Sequence, residues 1–321
     1  VLKKVFLLIL SFITALIIVE FIVGDIFDYP TYGTQYKVKY RKSTEETWSN
    51  IRKPYAKVLN IEGKTKTYYN NLGLPGVDIT NINNPIVILG SSYVEALQFD
   101  PEDIATSLFQ KKLNEEGNDI SVINLGCSGH DPYDSWFRLK YFEQFLKFKP
   151  QAVFLVLNSD NREWFSRHPK PLDFSFSPDF GEINNKSIVH IFTILRNNSN
   201  FIALLIEGVK AKTGEQDNED VKTENKSISQ VVSEEMKECI NKFSAEYKNF
   251  IVISILNDNS FNEDLAEYCH QNSILYVIQP LKKPEFLLNG AGHLNKKGNE
   301  ELGLLLYKAY SEFIKAKLKA S

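Results

Sequence analysis

The chain has 321 residues, of which 43% are hydrophobic and 24% charged. That balance excludes disorder throughout and leaves material for one substantial core. Net charge is −3 and the pI is about 6.1, so there is no basic footprint for nucleic acid. The three cysteines, Cys127, Cys239 and Cys269, are too few for a disulfide framework. No Cys/His cluster has zinc-site spacing, so neither metal nor cofactor is expected.

Residues 5–23 read VFLLILSFITALIIVEFIV, an apolar run with a single charge, Glu20, near its end. At 1.5 Å per residue such a helix is about 28 Å long, close to the hydrocarbon thickness of a bilayer. Lys3 and Lys4 precede it and Asp25 and Asp28 follow it. The positive-inside rule places the N-terminus in the cytoplasm and the bulk of the chain in the periplasm or outside the cell. The stretch after the apolar core offers no small-x-small cleavage site, which favours a single-pass anchor over a cleaved signal. Glu20 is placed to snorkel to the interface.

Residues 25–83 are polar and aromatic, with short alternating runs at 35–40 and 64–69 that predict small strands. From residue 84 the pattern changes. A wholly apolar run at 85–89 and mostly apolar runs at 120–125, 152–157, 250–256 and 274–278 predict strands buried on both faces. Between and after them, 104–116, 133–148, 262–271 and 296–318 predict helices. Strands alternating with helices mean a mostly parallel five-stranded sheet covered on both sides, a three-layer α/β/α sandwich of flavodoxin-like type. The domain reading is an anchor over 1–24, a membrane-proximal segment over 25–83 and a domain over 84–318. An insertion over 162–245 interrupts that domain, and its polar tract 210–230 is expected to be disordered.

Ligands of open parallel sheets bind beyond the carboxyl ends of the strands. There the chain places Gly90-Ser91-Ser92, then Gly126-Cys127-Ser128-Gly129, then Asn158-Ser159-Asp160-Asn161, and Gly292-His293 before the last helix. A serine, a glycine turn, an amide and a histidine in this order are the parts that acyl transfer needs. The hydroxyl requires a neighbouring base, and the developing oxyanion requires preorganised donors.

These blocks resemble those of the SGNH hydrolases of the GDSL type, in a bacterial, membrane-anchored branch. VILGSSYVEALQF (87–99) resembles the first block and VINLGCSGHDPYDS (122–135) the second. KPQAVFLVLNSDN (149–161) resembles the third and GHLNKKGNEELGLLL (292–306) the last, with YYNNLGLPG (68–76) resembling a segment upstream of the first. The resemblance covers roughly residues 64–316 apart from the insertion. It implies Ser92 as nucleophile and His293 as general base, with Ser92, Gly126 and Asn161 forming the oxyanion hole. Asn158, Ser91 and His130 are alternates. The bland readings stand beside these: Ser92 as a helix cap, Gly126 as a turn glycine, Trp136 and Trp164 as packing rather than a substrate groove.

The chain also departs from the family's pattern. Ser91 stands where the family has aspartate. Gly290 and Ala291 stand where the triad aspartate is expected, and neither can hold an imidazole. Two readings follow. One is an esterase or acyl transferase with a Ser–His dyad, acting on an acylated small molecule or polysaccharide of the cell envelope. The other is a catalytically inactive protein that keeps the fold to bind glycan or scaffold an envelope assembly.

Overall fold

The computed structural model describes residues 2–23, 35–39, 48–52, 54–60, 65–159, 165, 168, 170–176, 199, 201–202, 205, 232–288 and 292–315. Its centre is a parallel five-stranded sheet of β5 (Ile86–Leu89), β6 (Val122–Asn124), β7 (Ala152–Leu157), β8 (Phe250–Ser254) and β9 (Leu275–Ile278). The spatial order is β6-β5-β7-β8-β9. The chain thus begins near the middle, steps outward once, and crosses back to build the other side. That reversal opens a crevice at the carboxyl ends of β5, β6 and β7.

Side-chain alternation sends each strand into two cores. Val87, Leu89, Val153, Leu155, Leu157, Phe250 and Val252 join one core. It is covered by α4 (Pro132–Leu146), α5 (Glu234–Glu246) and α6 (Asn259–Gln271). Ile86, Ile88, Phe154, Val156, Ile251 and Ile253 join the other core, under α3 (Ala105–Glu115) and α7 (Lys296–Ala309). These two cores explain why the strands read as unbroken apolar runs, and they make the fold the three-layer sandwich expected from sequence.

Helix starts follow local chemistry. Asp131 caps α4 by accepting the Asp134 N–H, with Pro132 at the first helical position. Ser233, Asp258 and Asn295 cap α5, α6 and α7 in the same way. After Ala309 the last helix widens into a π-helical turn over Tyr310–Lys315.

Helix α5 lies within the span read as insertion, yet it belongs to the core. Met236, Cys239, Ile240 and Phe243 are fully buried, and Phe243 stacks on Phe250 with ring centres 5.2 Å apart. The excursion from the sheet therefore ends before residue 232, and α5 is the crossover that leads into β8. The tract 210–230 lies outside the described residues.

Ahead of the sheet are two antiparallel hairpins. One pairs β1 (Gln35–Lys39) with β2 (Trp48–Arg52), the other β3 (Lys57–Asn60) with β4 (Thr65–Tyr68). Before them α1 (Leu2–Phe21) is apolar and exposed along its length, and is the one candidate span among the described residues. Glu20 is not left to snorkel: its carboxylate accepts the Ser199 hydroxyl at 2.7 Å and the Phe201 N–H at 3.1 Å.

If α5 is core, Phe243→Ala removes a fully buried ring and should cost about 3–5 kcal/mol of unfolding free energy in urea titration. A loss below about 1 kcal/mol would show that the helix contributes little to the core.

Candidate active site

The site is assembled at the carboxyl edge of the sheet. Strand β5 ends at Leu89, and after Gly90 and Ser91 the chain turns into α2 (Ser92–Glu95), a single helical turn. The turn is closed by Ala96, which adopts the left-handed conformation at φ 53° and donates its N–H to the Ser92 carbonyl. For a residue with a Cβ that conformation costs about 1–2 kcal/mol, so the surroundings must enforce it. They do so on two sides.

The first is a backbone contact. A Cβ on Gly126 would stand 2.5 Å from the Glu95 nitrogen and 2.8 Å from the Val94 carbonyl carbon. Only glycine lets the loop after β6 lie this close to α2. The second is the Glu95 carboxylate, which is buried. It accepts the Tyr69 hydroxyl at 3.2 Å, the Ser128 N–H at 2.7 Å and the Ser128 hydroxyl at 2.5 Å. Charge-assisted bonds of this kind contribute about 1.5–3 kcal/mol each. Glu95 thus ties α2 to the β4 hairpin and to the β6 loop. Burial and the neighbouring Glu95 charge hold the Tyr69 phenol protonated, well above its ordinary range.

Ser92 Oγ lies 2.8 Å from His293 Nε2. The histidine is carried by the loop before α7, and that loop is pinned. His293 O accepts the Leu288 N–H at 2.7 Å, and Leu287 and Leu294 form a β-bridge. Tyr93, next to Ser92, holds the same loop: its hydroxyl donates to the Gly292 carbonyl, and its ring lies 5.4 Å from the imidazole. Nothing in the sequence signalled this role for Tyr93, because its partners are about two hundred residues away.

Ser91 precedes α2 in the cap position but makes no capping bond. Its hydroxyl crosses to Asn158 Oδ1 at 2.8 Å. With Oδ1 accepting, Nδ2 is the amide atom left to donate. The structure therefore brings the alternate Asn158, at the end of β7, to the serine turn. Asn161 and Trp164 lie outside the described residues, as do Gly290 and Ala291.

Gly126 differs from expectation. Its N–H donates to Asn124 Oδ1 at 2.8 Å, within a buried network in which Asn124 Nδ2 bonds the Val94 carbonyl and Thr106 Oγ1. Gly126 serves close packing, and its N–H is not directed at an oxyanion. Further along the loop, Gly129 is exposed, with φ +79° and open space where a Cβ would stand.

His130 is buried, and its Nδ1 has no hydrogen-bond partner among the described residues. Burial pushes its pKa below the ordinary 6.5, against nearby Asp134 and Asp131, which favour the charged form. A second polar group lies beside it. His168 Nε2 is 2.7 Å from Asp131 Oδ2 and 3.9 Å from Asp134 Oδ1. The ligand atoms of these three residues lie within 4.8 Å of one another. Asp131 already accepts the Asp134 N–H and the imidazole, so the group ties residue 168 to the start of α4. Trp136 is a packing residue, buried edge-on against Phe137 and Phe174.

No family model matches the chain, and no curated protein matches it. Among solved structures it is similar to the psychrotrophic esterase EstA from Pseudoalteromonas sp., with 14% identity and a TM-score of 0.42 over 73% of this chain and 100% of that one. It is similar to the lipase/acylhydrolase from Enterococcus faecalis, with 15% identity and a TM-score of 0.38 over 70% and 95% of the two chains. It is also similar to AlinE4, an SGNH-hydrolase family esterase, with 12% identity and a TM-score of 0.38 over 74% and 99%. At such values the functional reading rests on the geometry of the site itself.

The depressed His130 pKa makes a prediction about acid. A base whose folded pKa lies below its unfolded value contributes stability that is present above 6.5 and lost as pH falls through the folded pKa. Unfolding free energy should therefore fall as pH is lowered from above 6.5 toward the folded pKa, and His130→Gln should show a shallower fall. Equal slopes would mean that burial of this imidazole does not contribute.

Proposed function

We propose that the protein is a membrane-anchored, extracytoplasmic serine esterase or acyl transferase of the SGNH type that works with a Ser92–His293 dyad. The observation that carries this reading is the 2.8 Å contact between Ser92 Oγ and His293 Nε2 at the crevice of the sheet. A hydroxyl aimed at an imidazole, on a turn held from two sides, is the arrangement of an activated nucleophile.

In the proposed reaction Ser92 Oγ attacks the ester carbonyl carbon while its proton passes to His293 Nε2. For Nε2 to accept, Nδ1 carries the ring proton. The carbonyl oxygen becomes an oxyanion, received by the Ser92 N–H, the Asn158 amide and the N–H of Gly129, which takes the place first assigned to Gly126. Collapse of the tetrahedral intermediate breaks the bond to the alcohol oxygen, which leaves with the proton held by His293. Water, or a hydroxyl of an acceptor, then attacks the acyl-serine; His293 takes its proton and returns one to Ser92.

In a triad the acid orients the imidazole and stabilises its charged form. With Gly290 and Ala291 silent in the sequence, part of the orienting role falls to Tyr93, through the Gly292 carbonyl and the ring contact. Envelope glycans bearing acyl groups are the proposed substrate class, from the exposed apolar helix α1 and the location it implies. The anchor itself is tested by fractionation: the chain should stay with membranes and be released by detergent.

Turnover of p-nitrophenyl acetate tests the dyad. Ser92→Ala and His293→Ala should each reduce kcat by about a thousandfold or more, by similar factors because the two act as a unit. Tyr93→Phe should lower kcat by about tenfold with little change in KM, as expected for a positioning residue. If wild type cleaves no ester and the alanine variants match it, the inactive, glycan-binding reading replaces the enzyme.

A further inference from the structure

The loop after β9 brings one cation to the site that neither the sequence motifs nor the dyad uses. Lys282 is half-buried, and its Nζ donates to the main-chain carbonyl of Asn158 at 3.3 Å. It also lies 5.6 Å above the Tyr93 ring. Asn158 bonds the Ser91 side chain and Tyr93 packs on His293, so both neighbours of the ammonium belong to the dyad's immediate surroundings.

Other lysines drawn in from solvent are compensated. Lys140 lies 2.9 Å from Glu143, Lys237 3.0 Å from Glu234 and Lys242 2.8 Å from Glu246. Among the described residues Lys282 has no carboxylate within salt-bridge range. An ammonium has three N–H donors, and here one carbonyl and one ring face meet it. Withdrawing a charge from water without a counter-charge is costly. Burial accordingly pushes the Lys282 pKa below its ordinary value, with no acidic neighbour among the described residues opposing the shift.

We propose that Lys282 forms an anion subsite beside the Ser92–His293 dyad, taking a carboxylate or phosphate carried by the substrate. The proposal rests on the esterase reading for the identity of the scissile bond, though not for the binding of the anion. An anion at Nζ would satisfy the remaining donors and restore the charge balance. It would also orient the ester relative to Ser92 from a fixed point on the neighbouring loop. The subsite selects esters with a negative group near the reacting carbonyl over neutral ones of similar size.

The test compares p-nitrophenyl acetate with p-nitrophenyl hemisuccinate, where the anion is on the acyl side, and with O-acetyl glycerol phosphate, where it is on the alcohol side. Lys282→Met keeps most of the stem and loses the charge; Lys282→Arg keeps the charge. With Met, kcat/KM for one or both anionic esters should fall about tenfold or more while acetate changes less than about twofold, and Arg should retain most of the preference. The side of the ester that loses rate identifies where the anion sits. An equal fall on all three esters would mean that Lys282 only braces Asn158 and Tyr93, and would overturn the subsite.

Binding provides a readout independent of turnover. Full-length Ser92→Ala protein in detergent should bind succinate or inorganic phosphate saturably by calorimetry, and Ser92→Ala with Lys282→Met should not. If wild type cleaves no ester but this binding is present and depends on Lys282, the esterase reading fails and the anion subsite stands. If neither anion binds, the subsite fails whatever the esterase result.

Discussion

The 2.8 Å contact between Ser92 Oγ and His293 Nε2 joins two points 201 residues apart in the sequence. Everything near it in the structure acts to hold its two ends in place. Strand β5 delivers Ser92 to the carboxyl edge, and the bridge between Leu287 and Leu294 fixes the loop that delivers His293. Tyr93 couples the ends directly, since it follows Ser92 and donates to the carbonyl of Gly292, the residue before His293. A hydrogen bond between two flexible loops would be weak in water. Here the ordering of both loops is supplied by packing, so little conformational entropy is left to lose on forming it.

The serine turn depends in turn on the absence of one side chain. Gly126 permits a backbone approach that a Cβ at 2.5 Å from the Glu95 nitrogen would forbid. Asn124 fixes the loop geometry from below, bonding the Gly126 N–H and the Val94 carbonyl together. Glu95 completes the clamp from the other side through Tyr69 and Ser128. That clamp also explains why the segment ahead of the sheet is part of the same unit. Tyr69, the residue after β4, contributes its hydroxyl, so the segment ahead of the sheet reaches the turn that carries Ser92.

Much of this was legible in the sequence because burial on two faces leaves a strong mark. The runs at 86–89, 152–157 and 250–254 read as central strands. Ser92 and His293 stand out in the sequence because a serine, a glycine turn, an amide and a histidine follow strand ends in order, and the fold brings these two side chains to 2.8 Å. Helix α5 was missed although Met236, Cys239, Ile240 and Phe243 carry the i, i+3, i+4, i+7 pattern. The long polar tract before it made the whole span read as insertion. Gly126 was assigned a donor role because a turn glycine and an oxyanion glycine look alike until the Asn124 side chain is seen to take its N–H. Counting along the third block favours Asn161, with Asn158 as the alternate; the structure places Asn158 on the Ser91 hydroxyl, and Asn161 lies outside the described residues. Tyr93 and Lys282 had no local signal at all; their roles come from contacts between distant segments.

The central claim is that Ser92 is an activated nucleophile. The most direct measurement is labelling of the detergent-solubilised full-length protein with a fluorophosphonate, followed by peptide mass spectrometry. The account predicts one adduct, on Ser92 and not on Ser91, that is abolished in His293→Ala. Failure of wild type to take up the reagent, or an adduct that persists without His293, would contradict it.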